Sequence, residues 1–156
     1  MAQPEKPAIL FVCSGNICRS PLAEGVFAHL AGEAGRGDDF LLDSAGIGNW
    51  HAGERADPRS RATAKRHGFD IDHQRARQIR PADFDRFSLI LGMDFNNVTA
   101  LKRLGGHSPK AEIALFSDYT LGRHEEVPDP YYDEDDGFET VYHMLLAGCQ
   151  SLLSKL

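Results

Sequence analysis

The 156-residue sequence predicts an α/β fold: one three-layer domain, residues 1–156, with a four-stranded parallel sheet between helices. Two observations support this prediction. Four short apolar runs have the length of buried strands, and helical periodicity or turn residues separate each run from the next. Such unbroken apolar runs are typical of parallel strands that are buried on both faces. The chain is also long enough to bury a core without disulfides or metals.

The first half of the chain supplies two predicted strands and two predicted helices. Residues 8–12, AILFV, predict the first strand, and residues 20–35 have the apolar spacing of a helix. Residues 40–46 predict a second strand that ends in a glycine turn. Residues 57–68 predict a helix that ends at Gly68, because glycine commonly follows the last helical residue.

The second half repeats this alternation and adds a long final helix. In chain order we expect a short helix at 81–87, a strand at 88–93, a helix at 96–106, a strand at 111–116 and an amphipathic helix at 137–156. The longest irregular segments are 46–57 and 117–137. Loops of this length are where functional residues concentrate.

Composition narrows the class of partner and the compartment. The formal net charge of -6 disfavours nucleic-acid binding, which needs a basic surface. An apolar run of 18 residues is absent from the sequence, so we expect no membrane association. The residues before Cys13 are too few and too polar for a secretory signal, which favours a cytoplasmic protein.

The cysteines and histidines argue against disulfides and metals. Three cysteines, Cys13, Cys18 and Cys149, are an odd number and do not suit a closed disulfide framework. No ligands have the short spacings of a structural zinc site, so we expect neither metal nor cofactor. Cys149 lies on the apolar stripe of the final helix, which indicates a core residue.

The segment CSGNICRS, residues 13–20, lies where the first predicted strand passes into a helix. Ligands of open α/β sheets bind at this end of the strands, and a loop that opens a helix attracts anions. Gly15 and Asn16 tolerate a tightly turned backbone, and the Arg19 guanidinium matches two phosphate oxygens. A helix N-terminus and an arginine favour the reactive thiolate form of cysteine. Cys13 is therefore predicted to be a nucleophile; the alternatives are a redox thiol and an inert buried cysteine.

A longer stretch around this loop, FVCSGNICRSPLAEGVF, resembles the C-x5-R-[ST] signature of the low-molecular-weight protein tyrosine phosphatases. The resemblance continues in order through DSAG, WHAGERADPR, KRHG, ARQI, DFDRFSLILGMD, VPDPYY and FETVY. It covers nearly the whole chain. It implies a protein-tyrosine-phosphatase, a phosphoric monoester hydrolase that acts on phosphotyrosine-containing proteins as a monomer or weak homodimer.

The resemblance also implies roles for individual residues. Cys13 would form a phosphocysteine, Arg19 would bind the phosphate, and Asp129 would be the general acid and base. With Arg19, the phosphate site would comprise Ser14, Gly15, Asn16, Ile17 and Cys18. The supporting polar network would comprise Asn16, Ser20, Ser44, His73 and Asp94. The walls of the substrate pocket would be Trp50, Tyr131 and Tyr132.

Two other activities of the same fold remain alternatives at this point. The related arginine phosphatases carry threonine, and the arsenate reductases serine, at the position of Ile17. The arsenate reductases also depend on additional cysteines. A catalytically idle phosphate-binding module is a third alternative, which the presence of both Cys13 and Asp129 disfavours.

Overall fold

The computed structural model describes residues 6–106, 110–133 and 135–156. Within these residues it contains one parallel sheet, whose strands are β1 (Ala8–Cys13), β2 (Leu41–Gly46), β3 (Leu89–Gly92) and β4 (Glu112–Leu115). Their spatial order is β2-β1-β3-β4. The predicted four-stranded parallel sheet is confirmed. Residues 1–5, part of the segment on which the compartment prediction depends, lie outside the described residues.

Helices cover both faces of this sheet. They are α1 (Arg19–Glu33), α2 (Pro58–Arg66), α3 (Asp83–Arg86), α4 (Phe95–Gly105), α5 (Phe116–Leu121) and α6 (Asp135–Lys155). The described helices include none that is both long and apolar enough to cross a membrane.

Helix α5 differs from the prediction, which ended the fourth strand at residue 116 and left residues 117–137 irregular. The chain turns from β4 into α5 at Phe116, whose side chain is fully buried. The Phe116 ring packs near Phe11 of β1 and against the backbone of Gly148 in α6. These six residues have only a weak helical pattern, and burial of the Phe116 ring on the sheet stabilises the helix.

The side chains of β1 alternate between two hydrophobic clusters. Ile9, Phe11 and Cys13 belong to the cluster that α1, α5 and α6 cover. Leu10 and Val12 belong to the other cluster, which includes side chains of α3 and α4. Both faces of the strand are therefore apolar, which explains its unbroken hydrophobic sequence.

The position of β1 in the sheet determines where the functional loop lies. The chain passes from β1 to β2 on one side, and β3 pairs with β1 on the other side. The carboxyl end of β1 is therefore a topological switch point, where α/β proteins form their ligand clefts. Cys13 is the last residue of this strand.

Candidate active site

Asn16 fixes the shape of the loop that we call the cysteine loop, residues 13–19. Its backbone has a φ of 59°, a left-handed conformation that asparagine tolerates better than most residues. Its amide nitrogen donates hydrogen bonds to Ser20 Oγ at 2.8 Å and Ser44 Oγ at 3.0 Å. Its side-chain oxygen accepts a hydrogen bond from the Arg77 backbone N–H at 2.9 Å. These bonds hold the loop in one conformation.

The end of β2 packs directly against this loop. The backbone N–H groups of Ile47 and Gly48 donate to the carbonyls of Cys13 and Ser14, each at 3.0 Å. A Cβ atom at Gly46 would lie only 3.0 Å from the Ser14 carbonyl oxygen. Glycine at position 46 thus permits the close approach of the two backbones.

Cys13 is buried at the base of the site, and its Sγ lies 3.0 Å from Ser20 Oγ. The Ser20 hydroxyl can therefore donate a hydrogen bond to a thiolate at Cys13. Cys18 is the N-cap residue of α1, and its side chain caps none of the first N–H groups of that helix. Uncapped N–H groups at a helix start favour negative charge nearby.

Arg19 is buried, with a relative exposure of 2%, and one side of its guanidinium is fixed by protein groups. Nη1 donates to Asp94 Oδ2 at 2.8 Å and to the Val127 carbonyl at 3.0 Å. The hydrogen bond that Nη2 donates to Ser14 Oγ is long, at 3.4 Å. Nε has no hydrogen-bond partner among the described residues. The Nε–Nη2 edge is therefore the part of the guanidinium that an oxyanion would use.

Asp129 lies between Pro128 and Pro130 in the segment 127–133, which we call the acid loop. Its Oδ1 accepts a hydrogen bond from the Tyr131 N–H at 3.1 Å, and its Oδ2 lies 3.7 Å from Arg19 Nη2. The carboxylate is half exposed. It therefore stands beside Arg19 without being closed off from an incoming substrate.

A pocket of about 260 Å³ brings the predicted catalytic and wall residues together. It is lined by Cys13, Ser14, Gly15, Ile17, Cys18, Arg19, Trp50, His51, Asp129, Tyr131 and Tyr132. The aromatic rings form its rim, where Trp50 is 69% and Tyr132 93% exposed. Within the described part of the chain, no three His, Cys, Asp or Glu side chains are grouped as metal ligands would be.

The prediction for His73 is wrong. Its side chain is exposed and makes no hydrogen bond to any described residue. The turn after buried Ile71, closed by the Gln74 N–H to the Ile71 carbonyl at 3.1 Å, directs residue 73 outward and residue 74 inward. Gln74 is the buried side chain here, and it donates to the Pro21 carbonyl at 3.0 Å.

Sequence reasoning also missed His51 and Arg77. His51 lines the pocket next to Trp50, and its Nδ1 lies 2.6 Å from Glu54 Oε2. Arg77 binds Asn16 through its backbone and forms ion pairs with Asp43 and Asp83 through its guanidinium. The only sequence signals for them were their positions, in the irregular segment 46–57 and in the ARQI motif.

Comparisons with known proteins agree on one family. The family model described as "Low molecular weight phosphotyrosine protein phosphatase" matches residues 8–156. A low molecular weight protein-tyrosine-phosphatase of Streptomyces coelicolor is 43% identical over 152 residues, which are 95% of this chain and 92% of the relative.

Solved structures of phosphatases also match this chain. The crystal structure of a protein tyrosine phosphatase from Entamoeba histolytica matches with a TM-score of 0.90 and 35% identity, covering 96% of each chain. A Drosophila arginine phosphatase matches with a TM-score of 0.87 and 33% identity, covering 94% of this chain and 96% of the other.

Proposed function

The chain belongs to the low molecular weight phosphotyrosine protein phosphatase family, and from this membership we propose that it hydrolyses phosphotyrosine in proteins through a phosphocysteine on Cys13. It is a protein-tyrosine-phosphatase, a phosphoric monoester hydrolase. One observation carries the assignment of roles: the Cys13 thiol, the Nε–Nη2 edge of Arg19 and the Asp129 carboxylate line the same pocket.

In the first step, the Cys13 thiolate attacks phosphorus, and the bond between phosphorus and the phenolic oxygen breaks. The phosphoryl oxygens lie against the cysteine loop N–H groups and Arg19, which stabilise the charge of the transition state. Protonated Asp129 donates its proton to the leaving phenolic oxygen. The products are free tyrosine side chain and phosphocysteine.

In the second step, a water molecule hydrolyses the phosphocysteine. The Asp129 carboxylate, now ionised, takes a proton from this water as its oxygen attacks phosphorus. The bond between sulfur and phosphorus breaks and restores the Cys13 thiolate, which the Ser20 hydroxyl stabilises by a hydrogen bond. Phosphate then leaves, and Asp129 is ready to act again as an acid.

The depth of Cys13 supports an aryl phosphate as substrate. Cys13 is buried below a rim formed by Trp50, Tyr131 and Tyr132. A phosphoserine side chain is shorter, so its phosphate would not reach the thiol while its backbone stays outside the rim. The rings of the rim can pack against a tyrosine ring in offset or edge-to-face arrangements.

We also propose that residues 1–156 form one catalytic domain, which acts on phosphotyrosine-containing proteins as a monomer or weak homodimer. A cytoplasmic location suits the chemistry, because the mechanism needs Cys13 as a reduced thiol and the cytosol keeps thiols reduced.

Turnover on a panel of substrates tests the function directly. We expect phosphotyrosine peptides to be hydrolysed at least about tenfold faster, in kcat/KM, than matched phosphoserine or phosphoarginine peptides, a margin of about 1.4 kcal/mol. Arsenate with a thiol reductant should give no arsenite. A preference for phosphoarginine, the substrate class named for the Drosophila relative, would replace the proposed substrate.

The substitution Asp129→Asn tests the general acid. General acid catalysis contributes about 10²–10⁴-fold, and its value depends on how poor the leaving group is. The tyrosine phenol, with a pKa of about 10, leaves badly without a proton, whereas a nitrophenol leaves unaided. We therefore expect a large loss of kcat/KM, which reports the first step alone, on phosphotyrosine, a small loss of kcat/KM on a nitrophenyl phosphate, and a flatter alkaline limb of the pH profile of kcat/KM.

The same variant should still form the phosphoenzyme with the nitrophenyl ester, because Cys13 is intact. Rapid-mixing measurements of the nitrophenol burst check this. If both substrates lose equally and the alkaline limb is unchanged, Asp129 only shapes its loop.

A further inference from the structure

Arg59, in the first turn of α2, binds the acid loop from outside the pocket. Its Nη2 donates to the Tyr131 carbonyl at 2.8 Å, and its Nη1 donates to the Asp133 carbonyl at 3.0 Å. Nε and Nη2 donate to the two oxygens of the Asp57 carboxylate, each at 3.0 Å, so Nη2 binds both Asp57 and Tyr131. Arg59 thus joins Asp57 to two backbone carbonyls of the acid loop.

Asp57 is in turn attached to the cysteine loop. Its backbone N–H donates to the Ile17 carbonyl at 2.8 Å, and nearby Ser60 Oγ donates to the Cys18 carbonyl at 3.2 Å. Its carboxylate also caps α2 by accepting the Arg59 backbone N–H at 2.8 Å. The start of α2 is therefore fixed to the loop that carries the nucleophile.

The Asp57–Arg59 pair is not a loose surface ion pair. The Asp57 side chain is 8% exposed and that of Arg59 33%. Burial alone would raise the pKa of Asp57, but the hydrogen bonds from Arg59 hold that pKa below its ordinary value. The guanidinium also lies over the Phe138 ring of α6, 4.6 Å from its centroid. The paired hydrogen bonds to Asp57, the low exposure of the pair and the packing on the Phe138 ring all restrict the position of Arg59.

The carboxylate of Asp129 has few direct restraints. It is half exposed, its nearest cation is 3.7 Å away, and its hydrogen bond comes from the Tyr131 backbone. The loop is held on its N-terminal side, where the Val127 N–H donates to the Met93 carbonyl and the Val127 carbonyl accepts from Arg19. On its C-terminal side, Arg59 is the only described residue whose side chain donates hydrogen bonds to the carbonyls of the loop.

We propose that Arg59 is a positioning residue: by clamping the Tyr131 and Asp133 carbonyls to Asp57, it sets the position of the Asp129 carboxyl relative to the Cys13 thiol. The proposal rests on the proposed function, in which Asp129 protonates the leaving phenol. Tyr131 is the link, because its N–H binds Asp129 and its carbonyl binds Arg59. Small displacements of a catalytic group are costly when proton transfer needs hydrogen-bond distance.

The first test compares two substrates in the variants Arg59→Ala and Arg59→Lys. Arg59→Ala should lower kcat/KM for phosphotyrosine by about tenfold, part of the contribution of the general acid, and lower it less than about twofold for a nitrophenyl phosphate. Its alkaline limb should flatten, as in Asp129→Asn. Arg59→Lys should recover part of the loss, since an ammonium can bind one carbonyl but not the whole set.

Arg61→Ala is the matched control. Arg61 lies two residues later on α2, and its guanidinium bonds to the Ala56 carbonyl and lies near Asp72 without binding the acid loop. It should show normal rates and a normal pH profile. Thermal unfolding of all variants separates positioning from loss of stability. If Arg59→Ala does not fold, Asp57→Asn keeps the helix cap, weakens the clamp and should show the same substrate-dependent loss.

A double-mutant cycle gives the decisive outcome. In an Asp129→Asn background, Arg59→Ala should cause no further loss of kcat/KM on phosphotyrosine, because both changes remove the same proton donation. Additive losses, or equal losses on both substrates, would overturn the inference while leaving the Asp129 assignment intact. Absence of a leaving-group effect in Asp129→Asn itself would instead overturn the acid assignment, and the role of Arg59 with it.

Discussion

Replacing Cys13 by serine is expected to lower turnover of phosphotyrosine by at least about 10⁴-fold, the scale seen when a covalent nucleophile is lost. A serine hydroxyl stays protonated at neutral pH. Among the described residues, no general base is hydrogen-bonded to the side chain at position 13. The fold should be unchanged, because serine and cysteine differ by one atom and the loop is held by Asn16 and its partners.

Phosphate binding should survive in the same variant, since the proposed anion site consists of the cysteine loop N–H groups and Arg19. A rise in melting temperature with added phosphate, equal to that of the unmodified enzyme, measures this. Cys149→Ser is the matched control: Cys149 is buried in the core, outside the pocket, so it should lower stability and leave turnover intact. A loss of turnover in Cys13→Ser that is far smaller than about 10⁴-fold would refute the nucleophile assignment.

Replacing Arg19 by lysine should lower kcat by about 10²–10³-fold, the cost of removing a preorganised donor to a developing charge. The expected reason is that Nη1 is occupied by Asp94 and Val127, which leaves Nε and Nη2 for the proposed anion. A lysine ammonium placed against Asp94 would have no second edge for the phosphate.

Arg19→Lys should also weaken phosphate binding, which distinguishes it from Cys13→Ser. Phosphate titration followed by thermal unfolding checks the binding, and steady-state rates check kcat. Arg66→Lys serves as the control, because Arg66 pairs with Glu139 on the helical surface away from the pocket. A near-normal rate for Arg19→Lys would show that charge alone suffices at this position.

The local sequence pattern predicted the sheet well, because strands that are buried on both faces have unbroken apolar sequences. The run AILFV is apolar at every position, and each of its residues enters one of the two clusters. The same reasoning placed Cys13 at the carboxyl end of a strand, where the loop and helix that follow could be recognised. Helix α5 left a weaker trace, because its formation depends on contacts of Phe116 with distant elements.

The polar network was predicted less completely, for a geometric reason. A single turn after Ile71 decides whether residue 73 or residue 74 is buried, and no periodic pattern reports such a turn. Arg59 binds backbone carbonyls of another segment, and Arg77 binds Asn16 through its own backbone N–H. Backbone carbonyls and N–H groups occur at almost every residue, so their partners leave no mark in the sequence.

The preformed cysteine loop has a consequence for how the enzyme tells its substrate from its product. Its shape comes from hydrogen bonds of Asn16 to Ser20, Ser44 and Arg77, so an anion does not have to order it on binding. We therefore expect inorganic phosphate to gain from this loop as much as a phosphate ester does, and to compete for the site. The free energy that favours the ester must come from the exposed rim, chiefly Trp50 and Tyr132. Because these side chains lie outside the hydrogen-bonded network, substrate preference can diverge among descendants of this sequence while the chemistry stays the same.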